Sequence, residues 1–267
     1  MNFFDQFEKE HIIIAHRGLR SIRAENTLEA FKVSIGKCDM FEFDVQYTKD
    51  FIPVVIHDDS LVRTTNAEDI FRDKKSFNVR DFTLEEIREL DNTSWFIQKD
   101  PFLSIKDKKV DKKEIESLHK QSISTLDEVL SFIKQSDFPA NLEIKNSNFF
   151  DPKDISQDIL KRVLRYEATA LCIVSSFNHS YIEKMKKSEK SIKIAALFEK
   201  KDKKNLFSYL KELDVDAYHI DKSLAEKKKI EMLKGEGIYT NVYTINDKKE
   251  EALLFSKGVK GVFTDIV

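Results

Sequence analysis

Short β-rich runs alternate with amphipathic helical stretches along almost the whole chain, and this restricts the fold to a parallel α/β sheet or barrel. The runs are residues 11–16, 40–47, 53–57, 142–145, 171–177, 192–198, 217–221, 238–245 and 259–265. Helical periodicity spans residues 27–37, and good start signals precede further helices: Thr83 with Glu86, Thr125 with Glu128, and Pro152 after Asp151. One connection breaks the alternation. Only Thr48-Lys49-Asp50-Phe51-Ile52 separates Tyr47 from Pro53, whereas parallel neighbours need a crossover of about a dozen residues or more. Residues 40–47 and 53–57 are therefore expected to form an antiparallel hairpin. With 53–57 set aside, eight runs remain, the number in a TIM-type (β/α)8 barrel.

Between about residues 60 and 121 no run reads as a strand. That stretch contains a helix near residues 83–90 and a charged segment near 106–116, and it fits a small lobe inserted over the barrel mouth. Residues 1–267 then make one domain, with neither an internal repeat nor a low-complexity linker to divide it. A charged fraction of 34% and a hydrophobic fraction of 41% fit a globular chain. A net charge of -2 supplies no field for nucleic acid or an anionic bilayer. The N-terminal segment is too polar for a signal peptide, and its longest apolar run, residues 12–15, is far below the ~20 residues of a membrane span. Cys38 and Cys172 lack any metal-binding spacing and are read as unpaired thiols in a reducing interior. A cytoplasmic location without stable membrane insertion is expected.

Glu42 and Asp44 are the sharpest chemical feature. Alternate residues of a strand share a face, so both acids point one way while Phe41, Phe43 and Val45 point the other. With the phenylalanines packed on helices, the acids face the barrel interior. Two such charges about 4 Å apart repel by roughly 4 kcal/mol at an effective dielectric near 20, so a raised pKa, a basic partner or a metal must offset them. An exposed edge face is the plain alternative. Glu143 and Lys145 share one face of residues 142–145, which on its own reads equally as an ion pair. Beside Glu42 and Asp44, Glu143 completes three inward carboxylates. An all-oxygen set favours one hard divalent cation, Mg2+ or Ca2+, over zinc. Lys145 then brings positive charge to a phosphate.

His16 and His57 each end an apolar run, where barrel active sites gather. A single histidine in that setting is more often a satisfied core residue. Two of them near three acids favour general acid and base work. Arg17 offers forked donors to a phosphoryl oxygen. His11, His119, His179 and His219 lack this context and read as structural or exposed.

Several short stretches occur together and in order: His16-Arg17-Gly18, Glu25-Asn26-Thr27, Glu42-Phe43-Asp44-Val45, Pro53-Val54-Val55-Ile56-His57-Asp58 and Arg63-Thr64-Thr65-Asn66. Leu142-Glu143-Ile144-Lys145, Ser175-Ser176-Phe177, Tyr243-Thr244-Ile245-Asn246 and Gly261-Val262-Phe263-Thr264-Asp265 follow. As a set they resemble the glycerophosphodiester phosphodiesterases from residue 11 onward, most weakly between about residues 67 and 122. The resemblance implies a TIM-like barrel that hydrolyses glycerophosphodiesters to glycerol 3-phosphate and an alcohol. It implies Glu42, Asp44 and Glu143 as metal ligands, and His16 and His57 as the acid/base pair. It further implies Arg17 and Lys145 as phosphate contacts, with Phe177 and Tyr243 on the hydrophobic wall of the cleft. Ala24 stands where the family usually has proline, and Tyr243 where it has tryptophan. The chain stops just after the last run, so the eighth outer helix is expected to be short or missing, with the Phe3, Phe4 and Phe7 segment covering part of the barrel instead.

The expected partner is a small glycerophosphodiester. Which histidine acts first, whether water or a substrate hydroxyl attacks, and the oligomeric state stay open. Two rival readings share the barrel: a phosphatidylinositol- or sphingomyelin-type phospholipase forming a cyclic phosphate, and a non-catalytic glycerophosphodiester-binding protein.

Overall fold

A computed structural model describes residues 2–111, 113, 115 and 120–267. Nine strands are found among them: β1 (Ile12–Ala15), β2 (Met40–Tyr47), β3 (Pro53–Val55), β4 (Ala140–Ile144), β5 (Cys172–Ser176), β6 (Lys193–Phe198), β7 (Ala217–Asp221), β8 (Tyr239–Tyr243) and β9 (Gly261–Thr264). Their order is β1-β9-β8-β7-β6-β5-β4-β2-β3, and a further β1–β2 pairing closes the ring. Eight parallel strands thus form a TIM-type barrel, with β3 outside the count. β3 runs antiparallel to β2, with Val45 opposite Val55 and Tyr47 opposite Pro53. On the other edge of β2, Val45 pairs with Ile144, so β3 continues the edge that β1 leaves after Ala15.

Local chemistry explains the helices. Thr83 and Thr125 each form a capping box, with Glu86 and Glu128 returning a side-chain bond to the cap backbone. Asp151 caps Pro152–Arg165, whose proline sits in the first turn. Phe41, Phe43 and Val45 lie outward in the main core, and Phe41 stacks on Phe31 at 4.5 Å. The helix expected over 27–37 is shorter: Thr27 caps Leu28–Lys32, and turns then lead to Gly36 at a φ of +79°. Ile35, Gly36 and Lys37 are exposed and offer no buried face to hold further helical turns, whereas Ala30 and Phe31 are buried.

The N-terminal segment forms a single 3-10 turn, Phe3–Gln6, capped by Asn2. Phe3 and Phe4 pack with Ile12, Ile14, Met40, Ile173, Ala195, Ala217 and Phe263. Ile12, Met40 and Ala217 are the first residues of their strands, so the two rings close the barrel floor. Asn2 Nδ2 donates to the carbonyls of Asp216 (2.7 Å) and Gly237 (2.8 Å), and Asp216 accepts the Phe3 amide, which ties the plug down. The outer helix row ends with Lys248–Ser256 before β9.

Residues 60–121 contain no strand among the described residues, only short helices such as Ala67–Ile70, Leu84–Arg88 and Ser94–Lys99. One small core there joins Leu61, Val79, Phe82, Ile87 and Leu90 to Val54 and Ile56 of the β3 arm. A second gathers Trp95, Phe96, Val110 and Ile115 around Ala24, so the residue expected to be a proline is buried against this region. Part of the charged segment near 106–116, and His119, lie outside the described residues. Cys38 and Cys172 are both free and buried.

Candidate active site

Register assembles the acids. On the inward face of β2, Glu42 stands opposite Asn141 and Asp44 opposite Glu143 of β4. One oxygen from each of Glu42, Asp44 and Glu143 lies within 4.8 Å of the others. Asp44 is 1% exposed and Glu42 2%. Burial disfavours charge on all three, yet their outcomes differ. At Asp44, Lys145, Arg17 and His57 together with the Asn26 amide outweigh burial and hold the carboxyl below the usual range. At Glu42, burial and the charges of Asp44 and Glu143 push the carboxyl well up, and Arg17 only partly opposes them. Glu143 is raised as well, chiefly by burial, with Asp44 adding to it and Lys145 opposing.

Glu42 Oε1 is buried without a hydrogen-bond partner. An orphaned carboxylate oxygen inside a cluster of three acids, with no sulfur or imidazole in the set, fits a hard divalent cation. Such an ion would satisfy that oxygen and relieve the repulsion in one step.

Two strand ends and a turn bring the basic groups to the same place. His16 follows β1, and its amide donates to the Thr264 carbonyl at 2.9 Å, which sets its ring beside Asp265 just after β9. Asp265 Oδ1 lies 2.8 Å from His16 Nδ1, and Asn246 holds the other carboxylate oxygen at 2.8 Å. Burial lowers the His16 pKa, with Asp265 pulling the other way. Arg17 takes a φ of +57°, and its amide donates to Glu42 Oε2 at 2.7 Å. Gly18 then turns the chain at +73°, where a Cβ would sit 2.7 Å from the Cβ of Ala30. Only glycine lets that loop press on the helix behind it.

The β3 arm supplies the second imidazole. Ile56 donates to the Asp44 carbonyl at 3.0 Å, and Gln46 Nε2 donates to the His57 carbonyl at 2.8 Å. His57 Nδ1 lies 2.6 Å from Asp58 Oδ1, and Arg63 braces that carboxylate. Each histidine therefore has an acid on Nδ1, which leaves Nε2 for exchange.

Lys145 Nζ donates to Glu143 at 2.7 Å and lies 3.4 Å from Asp44. Burial lowers its pKa, but Asp44 and Glu143 outweigh burial and raise it, so the ammonium stays charged. His16, Arg17, Glu42, His57, Glu143 and Lys145 line one cleft of 260 Å³. Phe177 and Tyr243 form an edge-to-face pair across it, centroids 6.1 Å apart, and Tyr243 donates to the Phe198 carbonyl at 2.7 Å. All nine residues singled out from the sequence meet here: eight line the cleft, and Asp44 sits just behind it, bonded to Lys145 and Asn26.

A set of supporting residues, without a role legible in the sequence, holds these groups in place. Glu25, 2% exposed, accepts from Arg17 at 2.9 Å, Arg20 at 2.5 Å and Arg63 at 2.6 Å. Arg20 also reaches Asp265 at 3.4 Å and Arg63 reaches Asp58, so one carboxylate braces both histidine–aspartate pairs. These residues lie within or beside the quoted motifs, but their contacts have no signature in spacing. The other described histidines lie elsewhere. His11 bonds the Val259 carbonyl, and His179 bonds Tyr209 and the Leu197 carbonyl. His219 is wholly buried, and burial depresses its pKa to about 3.

Residues 16–267 match the glycerophosphoryl diester phosphodiesterase family. A glycerophosphodiester phosphodiesterase of Caldanaerobacter subterraneus is 32% identical over 258 residues, 95% of this chain and 93% of that one. One from Bacillus altitudinis is 29% identical, covering 95% and 94%. Among solved structures, an Oleispira antarctica phosphodiesterase in complex with the product sn-glycerol-3-phosphate superposes with a TM-score of 0.78 at 25% identity, covering 95% of this chain and 92% of that one. A glycerophosphodiester phosphodiesterase from Parabacteroides distasonis shares the fold, with a TM-score of 0.73 at 18% identity, covering 97% and 94%. The matched span takes in every acid, imidazole and aromatic of the cleft, and the chain belongs to the glycerophosphoryl diester phosphodiesterase family.

Proposed function

We propose that this enzyme hydrolyses small glycerophosphodiesters to glycerol 3-phosphate and an alcohol, with His16 and His57 as acid and base. The observation that carries the reading is the pair of imidazoles, each held at Nδ1 by a carboxylate, lining a cleft with Glu42 and Glu143. Glu42, Asp44 and Glu143 would hold one divalent cation, Mg2+ or Ca2+, which when bound polarises a phosphoryl oxygen. Lys145 and Arg17 balance the phosphate's negative charge. Their own acidic neighbours keep both cations charged and fixed. One imidazole takes the proton of the attacking hydroxyl at Nε2, while the other gives its Nε2 proton to the departing alkoxide. Asp265 and Asp58 keep each ring oriented and stabilise it when protonated. Phe177 and Tyr243 present an apolar wall to the carbon skeleton of the substrate.

Residues 60–121 act in this reading as an inserted lobe of a single domain, anchored through Val54 and Ile56 on the arm that carries His57. Among the described residues no helix is long and apolar enough to cross a membrane. Two buried free thiols are in keeping with a cytoplasmic home.

The test is release of glycerol 3-phosphate from several diesters, first with chelator and then with Mg2+ or Ca2+ restored, with products identified by mass spectrometry. Metal-restored release of the monoester supports the reading. A cyclic phosphate as sole product, or ligand binding without metal-stimulated turnover, overturns it.

A further inference from the structure

A second cavity, of 120 Å³, adjoins the cleft, and Lys145 lines both. Its other walls come from β2, the segment after His57, the lobe and the loop after β4. Gln46, Asn78, Asn146 and Asn148 supply amides, and Arg80 and Asp59 supply the charges. Gln46 also holds the His57 carbonyl, so this wall is mechanically joined to the catalytic arm.

A phosphodiester carries two alcohol arms. With its phosphate at Lys145, the shared glycerol arm can face Phe177 and Tyr243 while the head-group arm enters the amide-lined cavity. We infer that the second cavity receives the second alcohol and selects neutral polyhydroxylated head groups, such as glycerol or a cyclitol, over quaternary ammonium ones. This rests on the hydrolase reading above and extends it to head-group choice.

The chemistry of the walls carries the selection. Hydroxyls both donate and accept, and side-chain amides offer both partners. A quaternary ammonium needs open aromatic faces. Tyr47, the aromatic in this lining, is 5% exposed, and its hydroxyl is held by Asp158 at 2.9 Å. Nearby Phe149 lies outside this lining, and the Arg80 guanidinium sits over one face of its ring, 5.7 Å from the centroid. Lys145 is already paired with Glu143 and Asp44, so Arg80, with Asp59 against it, is the charge in this lining that opposes a cationic head group.

The test compares kcat and KM of wild type, Asn148→Ala and Arg80→Ala on glycerophosphodiesters of glycerol, inositol, ethanolamine and choline. Wild type should favour the two polyol substrates over the choline substrate by about tenfold or more in kcat/KM. Asn148→Ala should cost the polyols roughly three- to tenfold, mainly through KM, the range for one lost hydrogen bond, and leave the choline substrate within about twofold. Arg80→Ala uncovers Phe149 and removes a charge, so it should raise kcat/KM for the choline substrate several-fold. A wild-type preference for choline, or variants that scale all four substrates alike, would overturn the inference while the hydrolase reading stands. A wild type that cleaves none of the four refutes that reading and this one with it.

Discussion

Glu25→Gln probes the carboxylate that braces both histidine–aspartate pairs. Burial alone would push the Glu25 carboxyl up, but Arg63, Arg17 and Arg20 more than reverse this and hold it at about 2 against 4.5. That depression corresponds to about 3 kcal/mol in favour of the ionised folded state. Glutamine keeps the shape but not the charge, and leaves three guanidiniums facing a neutral amide. At pH 7 the variant should therefore unfold about 3 kcal/mol more easily, a Tm loss of roughly 6–12 °C for a chain of this size. The sign with pH follows from the depressed folded value. The contribution is complete above about pH 4.5 and fades as pH falls toward 2, because wild-type Glu25 then takes up its proton as well. Urea unfolding followed by circular dichroism at pH 7, 5 and 3 measures the gap between the two proteins. It should be largest at pH 7, and at pH 3 about half that or less. A gap under about 1 kcal/mol at pH 7, or one unchanged at pH 3, would refute the assignment of this charge to the arginine cluster.

His16→Ala and His57→Ala should each lower kcat by about two to four powers of ten, with little change in thermal midpoint, and near-wild-type turnover would remove that histidine from the chemistry. In differential scanning fluorimetry after chelation, added Mg2+ or Ca2+ should raise the Tm, since a ligand at a hundred times its Kd contributes about 2.7 kcal/mol. Glu42→Gln should abolish the rise, and a full rise in that variant would place the ion elsewhere. Gly18→Ala meets Ala30 at 2.7 Å with φ at +73°, so it should destabilise by more than about 1 kcal/mol and reduce turnover by shifting Arg17; unchanged unfolding would contradict the close approach. Phe4→Ala opens the barrel floor and should cost about 3–5 kcal/mol in urea unfolding, while any folded enzyme keeps its KM.

Local and periodic information determined the scaffold. Strand alternation with a period of two placed Glu42 and Asp44 on one face and the phenylalanines on the other, because that spacing is a property of the extended backbone itself. The five-residue connection from Tyr47 to Pro53 was too short for a crossover, so the antiparallel return of His57 was legible without coordinates. Cap signals at Thr83, Thr125 and Asp151 likewise act within one turn of chain. Helix length was less legible. The stretch after Thr27 keeps its periodicity to residue 37, but burial of Ala30 and Phe31 sustains helix only to Lys32.

What tertiary structure alone decided are contacts between residues with no shared period. The pairing of His16 with Asp265 depends on β1 lying beside β9, 249 positions away, and only closure of the ring creates that neighbourhood. The three arginines on Glu25 converge from two loops whose relative path no spacing rule encodes. The sequence has Phe3 and Phe4 covering part of the barrel, and tertiary structure decides which part: they pack into the floor against Ile12, Met40 and Ala217. The amide-lined cavity beside Lys145 exists because four separate segments meet there. Side-chain periodicity follows from the bonds of one chain segment, whereas the shape and charge of a cleft follow from which segments the closed barrel makes adjacent.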